Sequence, residues 1–267
     1  MRTLILAAAL SVTSVGHAAD LGEMSTVEAP GAVAAPAADW VIEVSPYLWA
    51  AGLKGSVSPF RAAPTFTVEK SFSDVLEDLN FGGFLNVWAR YERFVFSADI
   101  MYVDVGEARS IGALPYVGAT PGLSASAGNS MFSATALGGF RVFDDGRATV
   151  DVLGGVRWWQ ISTSVTAQFA GFSRHYGEDF GWVDPLVGVR AFYRLTDRFS
   201  AMVQADAGGF GLGAESTWQV IGTVNYAFTD RLSASIGYKS LGVDYASDGH
   251  VFDTRLDGPV AGVTFRF

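Results

Sequence analysis

The chain has 267 residues, 49% of them hydrophobic and 13% aromatic, enough for a large packed structure and too apolar for a disordered protein. Charged residues make up 17%, below the roughly 25% usual in soluble domains. The formal net charge of −9, without a basic stripe, disfavours nucleic acid as a partner, and the absence of Cys removes disulfides and thiolate metal sites.

The opening residues, MRTLILAAALSVTSVGHA, combine one Arg, an apolar run from Leu4 to Leu10 and small residues at Gly16 and Ala18. This is the pattern of a cleaved signal peptide over 1–18, and the apolar run is too short to cross about 30 Å of hydrocarbon. Its removal takes one of the 18 basic residues and leaves 17 − 27 = −10. Residues 19–39, rich in Ala and Pro and without a period, read as a flexible periplasmic lead-in.

From Trp40 onward the sequence alternates. Between Thr217 and Phe228 the even positions Trp218, Val220, Val224, Tyr226 and Phe228 are apolar, while Thr217, Gln219, Thr223 and Asn225 are polar. The same period separates Phe132, Ala134, Ala136 and Phe140 from Ser133, Thr135 and Arg141, and holds for about ten residues at a time, the length of a tilted strand crossing a bilayer. Turn signals at YERF, DDGR, LTDR and FTDR alternate with longer connections such as 107–129. Ten strands are predicted, at 40–55, 79–91, 93–106, 130–143, 147–169, 180–195, 198–210, 216–228, 231–245 and 251–267. An even number places both ends on the short-turn side. Residues 56–79, with the helix-compatible SDVLEDL, fit the meander poorly and read as a loop excursion or a plug.

The polar face of these strands carries Glu43, Arg90, Asp99, Arg141, Asp151, Arg157, Asp184, Arg190, Arg194, Asp206, Lys239 and Arg266, and the opposite face is nearly free of charge. Turned to water, that second face would be an apolar belt larger than soluble proteins tolerate. Turned to lipid, it satisfies the bilayer, where an outward charge costs about 2–4 kcal/mol at midplane. Tyr91, Phe94, Phe143, Tyr193, Phe199, Tyr226, Phe228 and Phe267 fall beside the short turns or the terminus, as an interfacial girdle would. The expected fold is therefore all-β, a transmembrane up-and-down antiparallel barrel over 40–267 with periplasmic termini.

The closing stretch GPVAGVTFRF places Phe265 and Phe267 on the apolar face. Together with the signal peptide and the meander, this ending resembles the bacterial outer-membrane β-barrel proteins. YLWAAGLKG and GYKSLGVDY are similar to segments of small proteobacterial members for most of which no activity is established. The resemblance implies a Gram-negative outer membrane, partners in its lipid and lipopolysaccharide, and recognition of Phe265 and Phe267 by the barrel-assembly machinery.

Ten strands enclose a narrow lumen, and inward Tyr47, Trp49, Phe84, Trp88, Leu153, Trp159, Leu186, Phe192 and Met202 read as filling it. Asp151 and Arg190 fall at matching heights on neighbouring strands, as do Arg157 and Asp184 one layer higher, and are expected to pair. A structural or envelope-interaction role with a largely filled lumen follows, the alternatives being a narrow small-solute or ion channel and a rim-located hydrolase. His175 and His250 fall near expected outer loops, His250 close to Asp244, Ser247, Asp248 and Asp253, an arrangement similar in kind to omptin proteases and lipid A deacylases. Neither G-x-S-x-G nor H-E-x-x-H occurs, the Asp spacing matches no regular Ca²⁺ loop, and GGFGLG at Gly208 lacks a following Lys-Ser/Thr. No enzymatic activity, metal or cofactor is expected.

Overall fold

Strands with one apolar face and free edges need both covered, and closure does this most completely. The computed structural model describes residues 40–61, 64–110, 124–169 and 172–267; the expected signal peptide and lead-in lie outside them. The elements are β1 (Trp40–Trp49), β2 (Gly52–Ser58), β3 (Phe66–Lys70), α1 (Phe72–Glu77), β4 (Leu79–Tyr91), β5 (Phe94–Ser110), β6 (Ser124–Asp144), β7 (Ala148–Phe169), β8 (Phe172–Arg194), β9 (Phe199–Gly209), β10 (Ser216–Ala227), β11 (Leu232–Ser247) and β12 (His250–Arg266). β1 and β4 to β12 pair antiparallel in sequence order, and β12 returns to β1 from Glu43↔Arg266 to Trp49↔Val260. The chain forms the expected closed ten-stave barrel, with two additional strands. Its described ends meet at the short-turn side, where the Phe267 N–H donates to the Ile42 carbonyl at 2.9 Å.

The expected first strand, 40–55, is divided at Ala50 and Ala51. β2 continues up β12 from Asp257↔Gly52 to Val251↔Ser58, and β3 adds to its free edge. The break is built on Gly258 and Pro259: the Ala50 N–H donates to the Pro259 carbonyl at 2.9 Å, and a Cβ at Gly258 would stand 2.0 Å from the Ala50 oxygen. Above this point β4 pairs with neither β2 nor β3, and α1, against β2 and β3, lies beside that gap. Ser71 caps α1 by a reciprocal bond pattern with Asp74. Phe72, Val75 and Leu76 of α1 line an apolar cavity of about 120 Å³ with Trp49, Leu53, Phe84 and Met101. The 56–79 excursion therefore belongs to the wall as much as to a loop.

β5, β6 and β8 run further than expected, whereas β7 ends where the expected 147–169 strand does. β5 and β6 pair out to Ser110↔Ser124, through much of the expected 107–129 loop, and β7 and β8 out to Phe169↔Phe172. The long ends of β7 and β8 carry STSVTAQ and SRHYGED, whose outward positions Ser162, Ser164, Thr166 and Gln168 on β7 are polar, so the apolar outer face ends before the strands do. Along the middle of the staves the outward positions include Phe96, Ile100, Val156, Val187, Val203, Val220, Val224, Ile236 and Val263, all substantially exposed. At the short-turn end the ring pairs Trp40–Tyr91, Phe94–Phe140 and Phe199–Tyr226 form a band of outward aromatics.

Candidate functional site

The inward face of each stave is where polar and charged side chains collect, and all twelve charges read from the alternation point inward. Nine of them, Glu43, Arg90, Asp99, Arg141, Asp151, Arg190, Arg194, Lys239 and Arg266, line a cavity of about 690 Å³ in the short-turn half of the barrel. Arg157, Asp184 and Asp206 lie in the layer above it, each almost completely buried.

In that layer Arg157 is a clamp. Its Nε donates to Thr135 Oγ1 on β6 at 3.0 Å, Nη1 to Thr217 Oγ1 on β10 at 3.1 Å, and Nη2 to Asp206 Oδ1 on β9 at 2.8 Å. Gln219 Nε2 reaches the second Asp206 oxygen at 3.4 Å. One guanidinium thus ties three other staves to its own, β7, inside the lumen. A second knot joins β1, β5 and β11: Lys239 Nζ donates to Asp99 at 3.0 Å and to Tyr47 Oη at 2.9 Å, while the Tyr47 hydroxyl donates to Asp99. The ammonium also sits 4.8 Å from the Trp49 ring centroid, a cation–π distance.

Both expected ion pairs are in register and neither forms. Arg157 is the ladder partner of Asp184, and Asp151 of Arg190. Yet Asp184 accepts from Trp182 Nε1 at 2.9 Å and from the Ala214 N–H at 2.7 Å, which leaves Arg157 to Asp206. Asp151 faces two arginines, since it is also the ladder partner of Arg141, and gives its oxygens to Arg141 at 2.8 and 3.3 Å. Matching height on neighbouring strands sets which groups can meet; competition among donors decides which do.

The Ala214 N–H reaches Asp184 because the GGFGLG turn dips into the barrel. Gly209, Phe210 and Gly211 take positive φ, and a Cβ at Gly213 would stand 2.3 Å from the Val183 carbonyl and 2.6 Å from Asp184 Oδ1. This turn gives its backbone donor to a buried carboxylate of the barrel itself, a role its glycines signal only as a need for close approach. Beyond it the lumen is packed with rings: Trp159 stacks on Trp182, Trp182 on Tyr245 with centroids 3.9 Å apart, and Phe180 on His250 at 4.2 Å. With Trp49 and Phe252 these form one apolar cluster on the long-strand side.

The expectation of a largely filled lumen holds for this half and fails for the other. Trp49, Trp88, Leu153, Trp159 and Leu186 are buried, Trp88 in one cluster with Leu153 and Leu186 at the cavity wall, but Tyr47, Phe192 and Met202 line the open cavity. The same cavity is lined by Ser45, Ser200, Ser233, Ser235 and Gly262, whose small side chains leave it open. The result is a vestibule that opens among the short turns at Gly146, Asp197 and Asp230.

The residues considered for chemistry at the far end are dispersed. His250 is buried under Phe180, with Nε2 3.5 Å from Glu178, while His175 is exposed on β8 beside Thr166. Asp244 and Asp253 are ladder partners, and Asp248 sits in the turn with φ of 52°. Among the described residues no group of three or more potential metal ligands comes together. Phe265 and Phe267 are exposed on the outer surface. Uncharged partners, namely Tyr47, Thr135, Thr217 and Gln219, are what a reading of charges alone overlooks; their only signal is inward parity beside a charged neighbour.

No protein-family profile matches the chain, and no curated protein matches it in sequence. Among solved structures it is similar to the outer membrane protease OmpT of Escherichia coli, at 9% identity over 85% of this chain and 96% of that one, with a TM-score of 0.49. The translocator domain of the autotransporter NalP of Neisseria meningitidis is similar at 11% identity over 86% and 89%, TM-score 0.44. The attachment invasion locus protein Ail of Yersinia pestis is similar at 12% identity over 85% and 98%, TM-score 0.33. At these identities the likeness concerns fold alone.

Proposed function

We propose that this protein is a bacterial outer-membrane barrel with a structural or envelope-interaction role, whose lumen is closed between the vestibule and the long-strand end. The observation that carries closure is the layer in which Arg157, Asp184, Asp206, Lys239 and Trp159 are all at most 5% exposed inside a ten-stave wall. Placement in the membrane is supported by the charge-free outer belt and the aromatic band at the short turns, which lipid accepts and water does not. Lipid and lipopolysaccharide would contact that belt, and Phe265 and Phe267 would be read by the assembly machinery during insertion. Catalysis is not part of the proposal: His250 is enclosed by rings, and Asp244 and Asp253 lie on the outer parity of their strands.

The test is conductance of the full folded chain in planar bilayers. Closure predicts no steady unitary current in wild type. A large, steady current would favour the narrow-channel reading instead.

A further inference from the structure

We infer that the vestibule is a binding site for a small soluble oxyanion, a phosphate or carboxylate, held by Arg190. This deepens the reading of a lumen closed above the vestibule, because a blind cavity retains what it binds. The chain as a whole is acidic, with 27 acidic and 18 basic residues, yet nine cationic and six acidic side chains line this cavity. Its wall acids are already engaged: Asp151 and Asp144 by Arg141, Asp99 by Lys239 and Glu43 by Arg266.

Arg190 is left over. Among the described residues it has no carboxylate within ion-pair distance and no hydrogen-bond acceptor. Its one specific contact is the Trp88 ring, 5.2 Å from guanidinium to centroid, and Arg141 shares that ring at 5.8 Å. Two guanidiniums over one indole in a confined space repel each other, and the acid between them in the ladder serves only Arg141. A half-buried guanidinium with five unused N–H donors facing a water-accessible cavity is the complement of a planar or tetrahedral oxyanion. The anion must be free rather than lipid-borne, because paired staves wall the cavity and it opens at the turns.

Titration calorimetry of the folded full chain in zwitterionic micelles at low salt, with inorganic phosphate and with citrate as probes, tests the site. Saturable binding is expected in wild type and in Lys54→Gln, whose Lys lies on exposed β2. Arg190→Gln should weaken it by about tenfold or more, since a charge-assisted contact is lost. Phosphate should also change the intrinsic fluorescence of wild type and not of Trp88→Phe, which keeps the site testable if Arg190→Gln does not fold. Absence of saturable binding of either anion, equal affinity in Arg190→Gln, a fluorescence response in Trp88→Phe as large as that of wild type, or binding to micelles doped with anionic phospholipid in place of the free anions overturns the proposal. Calorimetry reads the site whether or not current passes, so a conducting barrel would refute closure without deciding anion binding.

Discussion

Arg157 and Asp206 meet at 2.8 Å although β8 lies between their strands. The contact passes over a neighbour inside the barrel, so it ties two staves that are not hydrogen-bonded to each other and constrains the cross-section. Removing one member of a well-buried pair leaves an uncompensated charge and costs about 3–5 kcal/mol. Arg157→Ala and Asp206→Ala are each expected to lose stability of this order in denaturant unfolding from lipid vesicles, and the double variant to recover part of it. The coupling energy should exceed that of Arg157 with Asp184, whose carboxylate has other donors. Additive losses for Arg157 and Asp206 would show that they act as independent charges.

Phe267 stands exposed at the barrel's outer edge with its backbone tied to Ile42. Its truncation removes little buried area, so the expected defect is in assembly rather than in the folded state. Deleting Phe267 should leave the protein in the periplasm or degraded, as judged by heat-modifiable mobility of outer-membrane fractions. Normal amounts of heat-modifiable barrel would count against recognition of this end.

The outer parity assigns Val224 to lipid and the inner parity assigns Asn225 to the vestibule. Because the chain lacks Cys, single substitutions report on this without background. Asn225→Cys should react with a charged, water-soluble thiol reagent and Val224→Cys with a lipid-soluble one. The reverse preference would mean an inverted barrel.

What the sequence made legible was parity. A two-residue period places Glu43, Arg157 and Lys239 on one face without knowledge of any contact, and the same period places Val220 and Val224 on the other. Pairing is another matter, because Asp151 has an arginine on each side and Asp184 has an indole and a backbone donor available. The open vestibule was hidden for a related reason: Tyr47 and Phe192 are large, but whether they fill the lumen depends on how small the other lining residues are, among them Ser200, Ser233 and Gly262. The split of the first stave turns on the approach of Ala50 to Gly258, two residues far apart in the chain.

Asp145, in the turn between β6 and β7, is expected to carry a pH dependence of its own. The N–H groups of Ala148, at 2.6 Å, and of Arg147, at 2.9 Å, hold its carboxyl below the usual range. A lowered carboxylate value means stabilisation that is complete above the unfolded value of about 4 and lost as pH falls through the folded one. Carboxyl NMR titration should place Asp145 below Asp in an unstructured peptide, and Asp145→Asn should flatten the turn's acid response. A titration at the ordinary value would contradict the two backbone bonds.

The GGFGLG turn offers the sharpest separation between local strain and lumen closure. At Gly213 an added Cβ would collide with the Val183 carbonyl and the Asp184 carboxylate, displacing the turn and withdrawing the buried Ala214 N–H. Asp184 would keep Trp182 as its donor but lose its shorter bond, and a buried acceptor left partly unsatisfied costs about 1–3 kcal/mol. Gly211, in the same turn, has positive φ but no atom nearer to an added Cβ than Glu215 Oε2 at 3.9 Å. Gly211→Ala should therefore cost only backbone strain, of order 1 kcal/mol, and leave the lumen closed. Gly213→Ala should lower the unfolding midpoint further and also admit ions in planar bilayers. Equal, silent behaviour of the two variants in the conductance assay would show that this turn does not help to close the barrel.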